Sequence, residues 1–172
     1  MSIEPVCGWF AVQTRVGREG SVASILDAKW YDVFLPLFES HHQWSDRVKT
    51  SMAPLFPGYV FCRGASEAIG RIVTTPGVCR IVGFGKTPAV VDDNEIESIR
   101  RITASGLPVC PYQYLHAGQR VTIADGPLSG LEGIVLRAGG QHRLVVSVNL
   151  LRRAVAVQLD AAWVRPEAVL VG

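Results

Sequence analysis

The usual carriers of catalysis are missing from this 172-residue sequence. It has no H-E-x-x-H, no G-x-S-x-G, and no G-x-G-x-x-G set between a strand pattern and a helix pattern. Zinc hydrolysis, elbow-type nucleophilic catalysis and dinucleotide chemistry therefore lack the residues they require. The nearest echo of a phosphate loop, Gly85–Lys86–Thr87, fails because the earlier glycine it needs is Arg80 and because Pro88 follows at once. Only four cysteines are present, at 7, 62, 79 and 110, with no C-x-x-C and no histidine at zinc-finger spacing. Free and mostly buried thiols are expected, and no metal site. His41 and His42 are adjacent, so a strand would point them to opposite faces, which prevents them from ligating one ion together. No apolar run approaches the roughly 18–20 residues that span a bilayer, and MSIEPVCGWF lacks the basic start and apolar middle of a signal peptide. A cytoplasmic protein with no membrane contact is expected. The formal charge is only +2, too small for bulk attraction to make a tight nonspecific nucleic-acid binder.

What is present is a chain with 48% hydrophobic and 19% charged residues, enough for one medium domain or two small ones. Its pattern changes along its length. Trp9 to Thr14 reads as a strand, and Val22, Ile25, Leu26 and Trp30 form a helical stripe over 18–30. Strand patterns follow at 33–37 and 55–62. Between them, residues 39–53 read as an exposed hairpin turning at Ser45–Asp46. Ser66 can cap a short helix ended by Thr75–Pro76–Gly77, Val78 to Val82 resumes a strand, and Asp92 or Asp93 opens a helix carrying Ile96, Ile99 and Ile102. The carboxylates Asp92, Asp93, Glu95 and Glu97 are thus read as helix-start residues rather than an acid/base or magnesium site.

This first part predicts an α/β sandwich, an antiparallel sheet flanked by helices, over residues 1–107. Residues 108–116, with Pro108 and Pro111, read as a linker. From 117 to 172 the pattern is strand and turn alone, with runs at 119–124, 133–137, 143–151 and 154–159, one face of each buried. Such short antiparallel strands most simply close into a small SH3-like barrel. Charge is even across the division: 11 basic and 11 acidic residues in 1–107, then 6 and 4 in 108–172. Three small basic groups stand out, namely Arg15 with Arg18, Arg47 with Lys49, and Arg152 with Arg153. The first brackets a strand-to-helix turn, and the second lies on the hairpin near Trp44, a ring on which a base could stack.

Two motifs together resemble the NusG family of transcription elongation factors. PLFPGYVF at 54–61 resembles the diagnostic strand of the family's amino-terminal (NGN) domain, and GQRVTIADGPLSGLEGIV at 118–135 resembles the KOW motif that begins its carboxy-terminal domain. WFAVQTRVGRE at 9–19, FLPL at 34–37, TPGVCRIVGFG at 75–85 and RLVVSVNLLRRAVAVQLD at 143–160 fall in the family's order. The long hairpin with Trp44 at its bend looks more like specialised RfaH-type paralogues. The KOW glycines have a physical sense of their own, with a reversal at Asp125–Gly126–Pro127, and with Gly130 and Gly133 allowing the chain to turn and the barrel walls to approach closely.

The resemblance implies a noncatalytic factor without cofactor. Its first domain would dock on the clamp helices of the largest catalytic subunit of RNA polymerase through an apolar pocket to which Gln13, Phe56, Tyr59 and Phe61 contribute. Arg15, Arg18, Thr74 and Thr75, with Arg47 and Lys49 of the hairpin, would touch upstream or non-template DNA. Leu128, Leu131 and Leu151 would present the KOW domain to a ribosomal small-subunit protein or to Rho. Pausing would be suppressed by a clamp held closed, and a monomer is the simplest state. A ribosome-associated RNA-binding KOW protein is the alternative, predicting strong salt-dependent RNA affinity without polymerase binding.

Overall fold

The computed structural model describes residues 6–115 and 117–164. They divide into two compact units between Ile96 and Glu97. The architecture is mixed, with antiparallel sheets and few helices.

In the first unit β1 (Cys7–Thr14) is the central strand. The chain then forms α1 (Glu19–Ala28), β2 (Asp32–Phe34), a hairpin of β3 (Leu37–Trp44) and β4 (Arg47–Pro54), and β5 (Tyr59–Ala65). A short α2 (Ile69–Val73), β6 (Val78–Ile81) and the two-residue strands β7 (Gly83–Phe84), β8 (Thr87–Pro88) and β9 (Val90–Val91) complete the run, and α3 (Asp93–Ala104) starts at the end of this unit and continues into the second. The main sheet has the order β2-β5-β1-β6, with β9 also paired to β1, and every pairing is antiparallel. Alternation along β1 and β5 places Val12, Val60 and Cys62 on one face, where they pack against Val22 and Leu26 of α1 and Ile72 of α2. Val22 and Leu26 of the stripe expected over 18–30 therefore meet the sheet, whereas the helix stops at Ala28 and Trp30, expected in that stripe, lies beyond it and is exposed.

Local chemistry explains the joints. Asp92 Oδ1 accepts from Asn94 N at 2.7 Å, so Asp92 caps α3 as expected. Gly85–Lys86–Thr87 lies in the tight β7–β8 hairpin, with Gly85 at φ 61, and is a turn rather than a phosphate cradle. Helix α1 ends on Trp30, which holds φ 68 while Tyr31 N donates to Leu26 O at 3.2 Å, a closure that ordinarily uses glycine. Trp30 is 95% exposed, so little packing offsets its left-handed backbone. Trp30→Gly is expected to raise stability by about 1 kcal/mol in thermal melts. A fall would show that the exposed indole contributes more than the strain costs.

The cysteines correct one expectation. Cys62 is buried and Cys110 half-buried, but Cys7 and Cys79 are exposed, all four as free thiols. Burial, and secondarily the Asp32 carboxylate, push the Cys62 thiol up to about 12, which keeps it neutral and inert.

The second unit contains a five-stranded antiparallel sheet with the order β10-β14-β13-β12-β11. Its strands are β10 (Val109–Tyr112), β11 (Gln119–Thr122), β12 (Glu132–Ala138), β13 (Gln141–Val148) and β14 (Arg153–Leu159). Strand β10 falls inside the segment expected to be a linker: Val109 to Tyr112 pair with Val157 to Ala154 of β14. Pro111 is accommodated because β10 lies at the sheet edge. The sequence also suggested a single buried face, yet both faces of β13 are covered. Leu144, Val146 and Val148 are buried on one side. On the other, Val145 clusters with Ala154 and Ala156, against which Cys110, Tyr112 and Ile134 pack. The strand ends at Val148, and Asn149–Leu151 form a 3-10 turn instead of continuing it. Among the described residues no helix is long and apolar enough to cross a membrane.

Candidate functional site

The segment Pro54–Phe61 begins as a turn rather than as strand. Leu55 N donates to Pro36 O at 2.9 Å and Tyr59 N to Phe56 O at 3.0 Å, so β5 starts only at Tyr59. Gly58, at φ 84, makes the reversal. Its carbonyl accepts from Thr14 N at 2.8 Å, and its N–H donates to Glu19 Oε1 at 2.8 Å, with Glu19 only 4% exposed. The end of β1, the first turn of α1 and the start of β5 are thereby tied by one buried carboxylate. Sequence reading missed Glu19, because its partner lies 39 residues away and no local pattern marks it.

The sheet face opposite α1 and α2 carries the residues expected to dock on polymerase. Register places Gln13 beside Tyr59 and Ala11 beside Phe61, with Phe34 paired to Phe61 from β2. Phe61 stacks with Phe34 at 6.2 Å between ring centroids and meets Phe56 edge-on at 5.6 Å. Phe56 and Phe61 are 1% and 0% exposed, so these two rings are core and not surface. Alternation correctly put Tyr59 and Phe61 on one face, which the structure shows to be the one away from α1 and α2, but the inference that the face these helices leave shows aromatic surface does not hold for Phe61. What reaches solvent is a rim: Gln13 and Tyr59 are half-buried, and exposed Arg80 donates from Nε to Gln13 Oε1 at 2.7 Å. Arg80 was not singled out from sequence, although its register opposite Gln13 follows once β6 is paired to β1.

The expected nucleic-acid residues fall into two places. Arg15 and Arg18 are both exposed, and Arg15 N donates to Gly77 O at 3.0 Å, which brings the Thr74–Gly77 turn alongside. Thr74 is exposed there, but Thr75 is 2% exposed. Its hydroxyl is engaged by Lys29 Nζ at 2.9 Å and donates to Arg71 O at 3.3 Å. Thr75 is thus a structural tie that holds Lys29, not a free contact. The exposed cations Lys29 and Arg71, which the sequence did not single out, flank the same Thr74–Gly77 turn as Arg15 and Arg18. Arg47 and Lys49 lie apart on the β3–β4 hairpin, opposite Trp44 and His42 respectively.

In the second unit, Gly126 at φ 83 makes the expected reversal, and the face of Trp163 lies where a side chain on Gly126 would sit. Leu128 and Leu131 are 0% and 5% exposed, and the carbonyls of Pro127 and Ser129 flanking Leu128 accept from Arg101 Nη2 at 3.2 and 2.8 Å. Of the three leucines expected to meet a partner, only Leu151, half-buried in its 3-10 turn, is accessible as it stands. His41 and His42 diverge as anticipated: His41 Nδ1 faces Thr50 Oγ1 at 3.2 Å and His42 Nε2 faces Ser40 Oγ at 3.3 Å. Among the described residues no three His, Cys, Asp or Glu side chains gather as a metal site would require.

Comparison with known proteins meets this geometry directly. Residues 8–100 match the family model described as NusG, transcription termination factor nusG. The chain is 31% identical to the transcription termination/antitermination protein NusG of Escherichia coli K12 over 180 residues, covering 95% of this chain and 98% of that protein. The chain belongs to the NusG family. The Yersinia pestis NusG matches with the same identity and coverage, and that of Vibrio cholerae at 28% over 93% of this chain and 96% of its own length. The solved structure of Thermotoga maritima NusG shares the fold, with a TM-score of 0.61 at 22% identity over 95% of this chain and 98% of that one. The family resemblance drawn from PLFPGYVF and the KOW motif is therefore correct, and the chain is a NusG-type transcription factor.

Proposed function

We propose that this chain is a noncatalytic elongation and antitermination factor that docks on the clamp helices of the largest catalytic subunit of RNA polymerase. The docking surface is the rim formed by Gln13, Tyr59 and Arg80, supported from below by the packed rings of Phe34, Phe56 and Phe61. The observation that carries the reading is this polar-aromatic rim on the sheet face that α1 and α2 leave, in a chain whose family membership extends over nearly its whole length. A half-buried tyrosine beside a hydrogen-bonded arginine is the composition of an interface anchor.

Arg15, Arg18 and Thr74, with Lys29 and Arg71 behind them, reach the upstream or non-template DNA, and Arg47 and Lys49 extend that contact along the hairpin. The second sheet, β10 included, is a KOW barrel of the SH3-like kind, and the front domain ends near residue 107. Leu151 begins its contact with a ribosomal small-subunit protein or Rho, and Leu128 and Leu131 join it when the turn around them opens. Tethering the two domains raises the effective concentration of the second partner beside the transcript. The factor acts in the cytoplasm as a monomer.

The test is single-round transcription through a known pause with the full chain added. A shortened pause is expected, and Gln13→Ala with Arg80→Ala should remove the effect, with concentration dependence shifted by about tenfold or more. Pausing unchanged by saturating wild-type protein would overturn the reading.

A further inference from the structure

The β3–β4 hairpin sorts its strand side chains by face, and both of its cations fall on the same one. Its register pairs Trp44 with Arg47, His42 with Lys49 and Ser40 with Ser51, so these six share one face. Gln43 with Val48, His41 with Thr50 and Glu39 with Met52 share the other. The side-chain contacts agree, since Ser40 meets His42 on the first face and His41 meets Thr50 on the second. The first face therefore carries both cations of the hairpin, its only tryptophan and the His42 imidazole, while of the two hairpin carboxylates Glu39 lies on the opposite face and Asp46 in the turn next to Arg47. All ten residues from His41 to Thr50 are exposed, Trp44 at 67%. Among the described residues neither Arg47 nor Lys49 has an ion-pair partner.

We propose that the Trp44 face of this hairpin binds a single strand of DNA, with one unpaired base stacked on Trp44 and the neighbouring phosphates held by Arg47, Lys49 and His42. The two rows of this face, Trp44/Arg47 and His42/Lys49, are about 7 Å apart along the strands, a separation that lets successive phosphates meet different cations. An exposed indole flanked by cations is the combination that holds single strands without reading sequence, because every base offers a π-face and every linkage a charge. In a duplex the bases are paired and stacked on each other, which leaves the indole without a partner. The choice of DNA rests on the proposed function, in which the hairpin extends a contact with the non-template strand; the face itself depends only on register and charge. Failure to bind clamp helices would therefore leave the hairpin result standing, and the reverse also holds.

The test titrates the full chain at low salt with a labelled thymidine 12-mer, a duplex of equal length and a uridine 12-mer, reading anisotropy and tryptophan fluorescence. The thymidine strand should bind more tightly than the duplex and quench fluorescence. Trp44→Ala should weaken binding about 5- to 150-fold and abolish the quench. Arg47→Gln and Lys49→Gln should each lower the slope of log K against log salt by about 0.7. Val48→Ser and Met52→Ser, on the opposite face, should change neither. These substitutions fall on exposed side chains, and an unchanged melting curve confirms that each variant is folded. Equal or tighter duplex binding, indifference to Trp44→Ala, or absence of saturable binding would overturn the proposal. Preference for the uridine strand would overturn its assignment to DNA.

Discussion

Phe61→Ala is expected to cost about 3–5 kcal/mol of stability, seen as a large fall in the melting temperature of the first unit before any binding is measured. Phe61 is fully buried on β5, stacked on Phe34 and met edge-on by Phe56, so its removal leaves a cavity lined by two rings that β2 and the Pro54–Gly58 turn hold in place. The backbone around it is fixed at both ends, by the ladder to Ala11 and by the Glu19–Gly58 hydrogen bond, and collapse into the void is correspondingly restricted. Phe61→Leu keeps most of the volume and should cost less than about 1.5 kcal/mol. Phe56→Ala belongs with Phe61→Ala for the same reason. A melting temperature for Phe61→Ala within a degree or two of wild type would contradict the packing described. The consequence for function is practical: loss of polymerase binding in either alanine variant reports on folding, whereas Gln13 and Arg80 report on the surface.

Gly133→Ala is expected to destabilise the second unit by about 1–3 kcal/mol and to loosen the β12–β13 ladder selectively. A Cβ at this position would lie 2.6 Å from Val145 O and 2.8 Å from Leu144 Cδ1. The first of these is backbone of the neighbouring strand, paired at Ile134↔Val145, and cannot yield without separating the two strands. Gly130 supplies the contrast. It holds φ 87 with open space around it, so Gly130→Ala carries only local strain of about 1 kcal/mol. Amide exchange would separate the two cases, with protection lost across β12 and β13 for Gly133→Ala and retained for Gly130→Ala. Unchanged protection in both would contradict the close approach.

The role of these two glycines is readable from the KOW spacing, as are the hairpin with its Ser45–Asp46 turn, the Val22 and Leu26 positions of the α1 stripe and the Asp92 cap. Each is written in residues close together in the chain, where periodicity and turn chemistry act. What the sequence did not show depends on contacts at a distance. Alternation placed Tyr59 and Phe61 on one face but could not say that Phe61 is sealed while Tyr59 stays half-open. Thr75 looked like a surface threonine until Lys29, 46 residues away, was found on its hydroxyl. Val109–Tyr112 lacked a strand signal because two prolines flank or interrupt it, and its strand character comes from its partner β14 rather than from its own composition. Arg80 joined the rim only through the register of β6 on β1.

The most direct measurement is a titration of the full chain against the isolated clamp-helix coiled coil of a bacterial RNA polymerase, with Gln13→Ala and Arg80→Ala as surface variants of verified stability. Saturable binding that both substitutions weaken is the predicted result. A folded wild-type chain that shows no binding, or binding that neither substitution alters, would contradict the assignment of this face to polymerase.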